Sequence, residues 1–295
     1  MVHTVDRCFL ISWKGIKMKL SQLNDKCIEP LWKDCKGIDI FKSQLSRAVK
    51  YLNDPDINEI NTEMIDKFVI QLENTISHKG KPLTNSTINR NLSVLHSVLD
   101  YAYKREWLEK KPHFTWKTEN QHRVRWLTEQ EEHDLLRVMQ ERINKCTNPQ
   151  KLHMYEQARA AVIILIDTGL RRGELLNLQP DNIDGDWLRL WKTKTGKPRS
   201  VPMTPRAKAL INEFVPFDIE DWRLYYFWCR AKKDIGLEHD EQFVLHTLRH
   251  SCATRLLRKT KNIAMVQKML GHSKIQTTLR YAHIDDDDLF EAVNS

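Results

Sequence analysis

The closing stretch LGHSKIQTTLRYAH, residues 270–283, predicts a short helix carrying Tyr281, with His272 on the turn before it. Taken alone, a tyrosine in such a place is an ordinary core or surface residue. Three upstream segments change its weight. TGLRRGELLNL at residues 168–178 supplies Arg171, KTKTGKPRSVP at 192–202 supplies Lys194, and HTLRH at 246–250 supplies His246 and Arg249. Together they describe a basic pocket around one phenol, suited to phosphoryl transfer without a metal.

The composition agrees with an anionic partner. Over 295 residues, 47 Lys and Arg stand against 39 Asp and Glu, a formal charge of +8. Such an excess favours an extended polyanion, with DNA and RNA leading, although an ordinary basic enzyme has the same balance. Cys8, Cys27, Cys35, Cys146, Cys229 and Cys252 form no CxxC pair, which points to reduced thiols and a cytoplasmic compartment. Asp6 and Arg7 precede an apolar run, Cys8 to Ile11, that is too short for a signal-peptide core. No apolar stretch approaches the roughly 20 residues of a membrane span, so a soluble protein without a membrane partner is expected.

The length allows two domains at about one per 100–200 residues. Residues 1–38 show no sustained period and are left without assigned structure. From residue 39 the pattern turns helical: Phe41, Leu45, Ala48, Val49 and Leu52 keep helix spacing until Asn53, Asp54 and Pro55. Thr62 is the expected cap of a second helix with Ile65, Phe68, Val69 and Leu72 as its buried stripe. A third helix, from about Ser86 to Tyr103, buries Ile88, Leu92, Leu95 and Leu99. Its other face carries Thr87, Asn89, Arg90, Asn91 and Ser93, either a solvated surface or a set of nucleic-acid contacts.

Residues 104–126 gather Lys104, Arg105, Lys110, Lys111, Lys117, Arg123 and Arg125 around Pro112, which reads as a basic linker able to follow a phosphate backbone. Thr128 with Glu131 is a capping-box signature, so the second domain begins near 126. Helices are expected near 129–144 and 153–167, then again over 174–178. Trp187, Arg189 and Trp191 alternate with Leu188 and Leu190, and the Thr195 to Pro198 turn leads into a partner strand over 200–203. The remainder is mostly helical. This gives residues 1–38 of uncertain structure, a helical domain at 39–112, a linker at 113–125 and a second domain at 126–295.

Breaking a phosphodiester without hydrolysis requires a side-chain nucleophile, cations around the phosphorane-like transition state, and an acid for the departing oxygen. A tyrosine makes the step reversible, because the phosphotyrosine retains the free energy of the broken bond. Arginine is the suited cation, since its planar fork donates two hydrogen bonds and stays charged. His246 and Arg249, three apart on a helix, project toward one side, while His250 could form a metal pair with His246. Lys194 at the hairpin tip could donate a proton to the leaving oxygen, with Lys192 and Lys197 as alternatives or as phosphate contacts.

The ordered set resembles the tyrosine recombinase family, of phage-integrase type, strongly over residues 126–284 and more loosely over 39–112. The resemblance implies a helical core-type DNA-binding domain plus an α+β catalytic domain, a mainly α chain with a small antiparallel β-sheet. It assigns Arg171 and Arg249 as the transition-state arginines, Lys194 as the acid, and His246 as an assistant in proton transfer. His272 becomes a phosphate hydrogen-bonding residue, Tyr281 the nucleophile, and Glu174 a support. Thr87, Asn89, Arg90, Arg123, Arg125, Lys192 and Lys197 are the further DNA-contact candidates. Integrases resembling lambda's carry an arm-binding domain for which residues 1–38 look short.

The resemblance also implies a clamp on double-stranded DNA recombination sites, a 3′-phosphotyrosine intermediate, a homotetramer working through a Holliday junction, and possible accessory DNA-bending proteins. It requires no metal and no cofactor. The segment after Tyr281, ending LFEAVNS, is expected to pack on a neighbouring protomer, and the Asp285 to Asp288 run to cap a helix or stay hydrated. A type IB topoisomerase-like nicking-closing enzyme and a catalytically silent DNA-binding regulator are the competing functions.

Overall fold

The computed structural model describes residues 17–35, 37–78, 80–119, 124–191 and 198–282. Arg123, Lys192, Lys194, Lys197 and the segment from His283 onward lie outside the described residues. The chain forms two units, Met1–Gln121 and His122–Ser295.

In the first unit, helix α1 (Leu20–Trp32) occupies a stretch in which the sequence shows no sustained period. Its inward positions are Leu20, Leu23, Asn24 and Cys27, a helical i, i+3, i+4, i+7 set. One of the four is polar, which hides the stripe. Asp54 accepts from Ser21 N and Oγ at 2.8 and 2.9 Å, placing a carboxylate at the helix start.

Helix α2 (Ile38–Leu52) follows the expected spacing, and Asn53 closes it in the left-handed region at φ 61°. Helix α3 (Thr62–Glu73) buries the stripe Ile65, Phe68, Val69 and Leu72. Its cap is Asn61, not Thr62: Asn61 Oδ1 accepts from Met64 N at 3.0 Å, whereas Thr62 Oγ1 accepts from His113 N at 3.2 Å. Asparagine is the better cap of the two, since its amide oxygen reaches the N3 backbone N–H readily, and the adjacent threonine is left to bond elsewhere. Helix α4 (Asn85–Lys104), capped by Thr84, buries Ile88, Leu92, Leu95 and Leu99. Asn91 also turns inward, accepting from Arg47 Nη1 at 2.9 Å and donating to Thr87 O at 2.8 Å, so it leaves the polar face.

The stretch after α4 packs back on its own unit. Leu108 and Phe114 join the core, while Lys111 and Lys117 pair with Asp100 and Glu73 at 2.7 and 2.6 Å. Much of the basic stretch is therefore a fastened strap.

In the second unit, Thr128 and Glu131 cap helix α5 (Glu129–Asn144) reciprocally. Helix α6 (Pro149–Thr168) is buried almost all round, with Ala160 to Ile166 inside without a break. A helix apolar on every side belongs at the centre of a core, and α6 packs against α5 and the later helices α8 (Pro205–Phe214), α9 (Asp221–Asp234) and α10 (Leu245–Thr260). Between them lie α7 (Arg172–Leu176) and a three-stranded antiparallel sheet in the order β1 (Ile183–Asp184), β2 (Trp187–Leu190), β3 (Arg199–Pro202). Leu188 pairs with Val201 and Leu190 with Arg199, so the leucines face the core and the tryptophans stay exposed. The two-residue β1 has no alternating pattern of its own and is set by its pairing with β2. Helices α11 (Ile263–Leu270) and α12 (Gln276–Leu279) finish the described chain. The expected mainly helical chain with a small antiparallel sheet is observed. Among the described residues no helix is long and apolar enough to cross a membrane.

Candidate active site

The site forms where two chain reversals meet α10. The first is TGL. Gly169 ends α6 at φ 62°, and a Cβ there would lie 3.0 Å from Leu270 and 3.2 Å from the Cys252 sulfur. The turn therefore favours glycine for both its φ and its space. It exposes Gly169 O, which accepts from Arg249 Nη1 at 2.6 Å.

Arg249 is 2% exposed. Its other terminal nitrogen, Nη2, donates to Leu270 O at 2.7 Å and to His272 Nε2 at 3.3 Å. Among the described residues no carboxylate pairs with it. Burial, then Arg171 and Arg199, push its pKa down to about 10, against the opposing pull of Glu174 and Tyr281. A buried cation held by carbonyl dipoles alone is costly unless an anion completes the pocket.

Arg171 follows the turn at the start of α7. Its N and Nη1 both donate to the Glu174 carboxylate at 2.8 Å. Glu174 also accepts from Arg199, whose Nη1 and Nη2 reach its two oxygens at 2.8 and 2.6 Å. Burial by itself would raise the Glu174 pKa, but hydrogen bonds and charge from Arg199 and Arg171 outweigh it and bring it to about 2. Arg199 stands inside KTKTGKPRSVP, where attention goes to the lysines. The strand expected over 200–203 leaves it out, and the observed β2–β3 register places it across from buried Leu190.

The last reversal is LGH. Gly271 caps α11 at φ 67°, and a Cβ there would meet Arg199 Cδ at 2.7 Å. His272 follows. Arginine has only donors, so His272 Nε2 must accept from Arg249, and Nδ1–H then donates to Thr278 Oγ1 at 2.9 Å. Tyr281 sits in a turn two residues beyond α12 rather than on the helix, its N donating to Thr278 O at 3.0 Å. It is 6% exposed, packed with Ala253, Val266 and Leu270, and its ring stacks near that of His272 at 6.4 Å.

The phenol of Tyr281 lies 2.8 Å from His250 Nδ1. In the sequence alone His250 offers only a possible metal partner for His246. Their rings do meet, at 4.6 Å, but His250 turns to the tyrosine. His246 keeps an exposed face on the same helix. Desolvation, followed by the surrounding cations and imidazoles, brings the pKa values of His246, His250 and His272 down to about 4, 3 and 4. Burial leads the opposite shift at Tyr281, whose phenol is raised above its usual value of 10.0.

Arg171, Glu174, His246, Arg249, His272 and Tyr281 thus come together in one unit, while Lys194 lies outside the described residues. The peripheral candidates separate. Arg125 spends its fork on Glu131 and on Asp240 at 3.0 Å. Asn89 is held by Lys117 O and Glu119 at 2.8 Å each, and Thr87 Oγ1 bonds Thr84 Oγ1 at 3.0 Å. Arg90 is exposed and has no ion pair among the described residues.

Residues 36–118 match the phage integrase SAM-like domain, and residues 219–288 match the phage integrase family. The chain is 27% identical over 275 residues to a tyrosine recombinase of Thermosipho africanus, covering 86% of this chain and 90% of that relative. It is 27% identical over 290 residues to the integrase of Escherichia phage P2, covering 94% and 77% respectively. The fold is similar to that of the Tn1549 transposon integrase in complex with circular intermediate DNA, with a TM-score of 0.71 at 20% identity over 94% of this chain and 99% of that one. Both units match this one lineage, and the chain belongs to the tyrosine recombinase family of phage-integrase type.

Proposed function

We propose that the protein is a site-specific DNA recombinase that cuts and rejoins strands through Tyr281, in the manner of an integrase. The observation that carries this reading is Arg249, a buried guanidinium fixed by Gly169 O and Leu270 O with no carboxylate partner among the described residues. A scissile phosphate is the anion that would complete it.

In this mechanism Tyr281 Oη attacks phosphorus and the bond to the 5′-oxygen breaks, leaving a 3′-phosphotyrosine and a free 5′-hydroxyl. Arg171 and Arg249 hold the non-bridging oxygens, with Glu174 and Arg199 fixing Arg171 from behind. Lys194 protonates the leaving oxygen, and His246 assists proton transfer near the phosphate. His272 bonds a phosphate oxygen once its Nε2 carries a proton. Attack by the hydroxyl of another strand reseals the backbone. The substrate is double-stranded DNA, exchange proceeds through a Holliday junction in a tetramer assembled on two sites, and accessory bending proteins can assist. The excess positive charge draws DNA without regard to sequence, and the enzyme works in the cytoplasm, where its DNA is.

The test begins with nicked duplexes of randomised core sequence, from which covalent adducts are recovered after denaturation. A wild-type adduct mapping to Tyr281 and absent in Tyr281→Phe is the expected result. On a supercoiled plasmid bearing two copies of the recovered site, recombinant circles are expected. Relaxation without recombinants would replace this reading by nicking-closing, and absence of any adduct would favour a silent DNA-binding protein.

A further inference from the structure

His250 has no part in the mechanism above, yet it makes the one hydrogen bond that Tyr281 Oη forms among the described residues, at 2.8 Å from Nδ1. Nδ1 accepts the phenolic hydrogen in the tautomer that carries the ring hydrogen of His250 on Nε2. The two rings lie 5.6 Å apart between centroids, at 54°, and the apolar packing of Tyr281 on Ala253, Val266 and Leu270 holds the phenol in place.

We propose that His250 is the base that takes the phenolic proton when Tyr281 attacks DNA. The inference rests on the reading of Tyr281 as the nucleophile. In the cleavage step the Oη–H bond breaks and the proton moves to His250 Nδ1, Oη bonds to phosphorus, and the P–O5′ bond breaks as the leaving oxygen takes a separate proton from Lys194. Rejoining reverses each transfer: the 5′-hydroxyl attacks, its proton passes to the lysine, and the imidazolium returns its proton to Oη. No proton is gained or lost over the cycle.

The neighbours of His250 set its resting state. Burial comes first in keeping it neutral, followed by His246 on its own helix, Arg280 of the closing segment, Arg249 beside it, and His272 across the site. These neighbours leave Nδ1 unprotonated and free to accept a hydrogen bond, and they also make the resting imidazole a weak base, so the transfer depends on the charge that DNA brings. The arriving phosphate adds negative charge and favours the imidazolium as the proton is transferred. His246 forms no hydrogen bond to Tyr281 among the described residues and faces the solvent side of the pocket, so the two histidines divide the work.

Asparagine separates a base from a mere tether, because its Oδ1 can occupy the place of Nδ1 and accept the phenol's hydrogen bond without taking the proton. The full chain, its His250→Asn variant and Tyr281→Phe are compared for single-turnover adduct formation on the nicked duplex recovered above, with duplex binding and thermal unfolding followed in parallel. Cleavage by His250→Asn is expected to fall by about 100-fold or more at neutral pH, with binding kept, and to climb tenfold per pH unit as hydroxide replaces the base. A 5′-bridging phosphorothiolate, whose sulfur leaves without a proton, should not restore it. His250→Ala should regain adduct formation with added imidazole, which also covers the case in which the asparagine variant folds poorly.

Adduct formation by a folded His250→Asn within a few-fold of wild type, with an unchanged pH profile, would overturn the proposal while leaving Tyr281 as nucleophile. Rescue of that variant by the phosphorothiolate would overturn it too, by assigning His250 to the leaving group. An adduct that survives in Tyr281→Phe removes the nucleophile and this inference together.

Discussion

Glu174 grips Arg199 with both carboxylate oxygens, at 2.8 and 2.6 Å, while the same carboxylate caps Arg171. The pair ties the strand side of the site to the TGL turn, and neither side chain is more than 9% exposed. Removing one partner of such a buried pair typically costs about 3–5 kcal/mol. Glu174→Gln is therefore expected to lower the unfolding free energy by roughly 3 kcal/mol and to slow cleavage as Arg171 loses its backing. Denaturant unfolding with the midpoint and slope both fitted checks this, and a loss below about 1 kcal/mol would contradict it.

Arg249 bridges two carbonyls with a fork that lysine lacks. Arg249→Lys keeps the charge but cannot reach Gly169 O and Leu270 O together, so cleavage should fall by about 100-fold or more while duplex binding changes little. Single-turnover rates on the recovered site decide it. A lysine variant within threefold of wild type would show that charge alone suffices.

Gly271 and Gly185 both have positive φ, at 67° and 59°, yet a Cβ at Gly271 meets Arg199 Cδ at 2.7 Å and one at Gly185 meets nothing within 4 Å. Alanine at 185 should cost about 1 kcal/mol from backbone strain alone. Alanine at 271 should cost more than that and also reduce cleavage, because Arg199 is pinned to Glu174 and to Met269 O and cannot step aside freely. Equal effects of the two substitutions on stability and rate would sink the argument.

Acid should destabilise the free protein through its histidines. His246, His250 and His272 have folded pKa values near 4, 3 and 4 against a usual 6.5. Between those limits the unfolded chain binds more protons, so stability falls as pH drops below 6.5 and this contribution levels off below the folded values. Glu174 acts lower: its depressed pKa gives stability that is complete above about 4.5 and lost toward about 2. Unfolding temperatures across pH 4–7 should show the slope, and His250→Asn should flatten it. An unchanged slope in that variant would remove His250 from the account.

Arg90 and Arg125 should separate by readout. Arg90→Ala is expected to weaken duplex binding and reduce its salt dependence by about one charge with no change in unfolding. Arg125→Ala is expected to destabilise the chain, since it frees Glu131 and Asp240. Titrations at two salt concentrations beside thermal melts give both answers.

The spacing of apolar residues and the order of four basic motifs, read from the chain alone, determined the helical class, the small sheet, the family, and Arg171, Glu174, His246, Arg249, His272 and Tyr281 as residues that meet in one unit. Helix periodicity and turn chemistry act over a few residues, so α2, α4 and the reversals at Gly169 and Gly271 were legible locally. Tertiary structure decided the partners. Arg199 joins the site through a strand register and a carboxylate 25 residues away, Asn91 turns inward to meet Arg47, and Arg125 is taken up by Asp240. His250 lies 31 residues from Tyr281 along the chain, and its ring is brought to the phenol only when α10 and the turn after α12 pack together. A hydrogen bond depends on where two atoms end within about 3 Å of each other, and the packing that sets that distance leaves no periodic trace in the sequence.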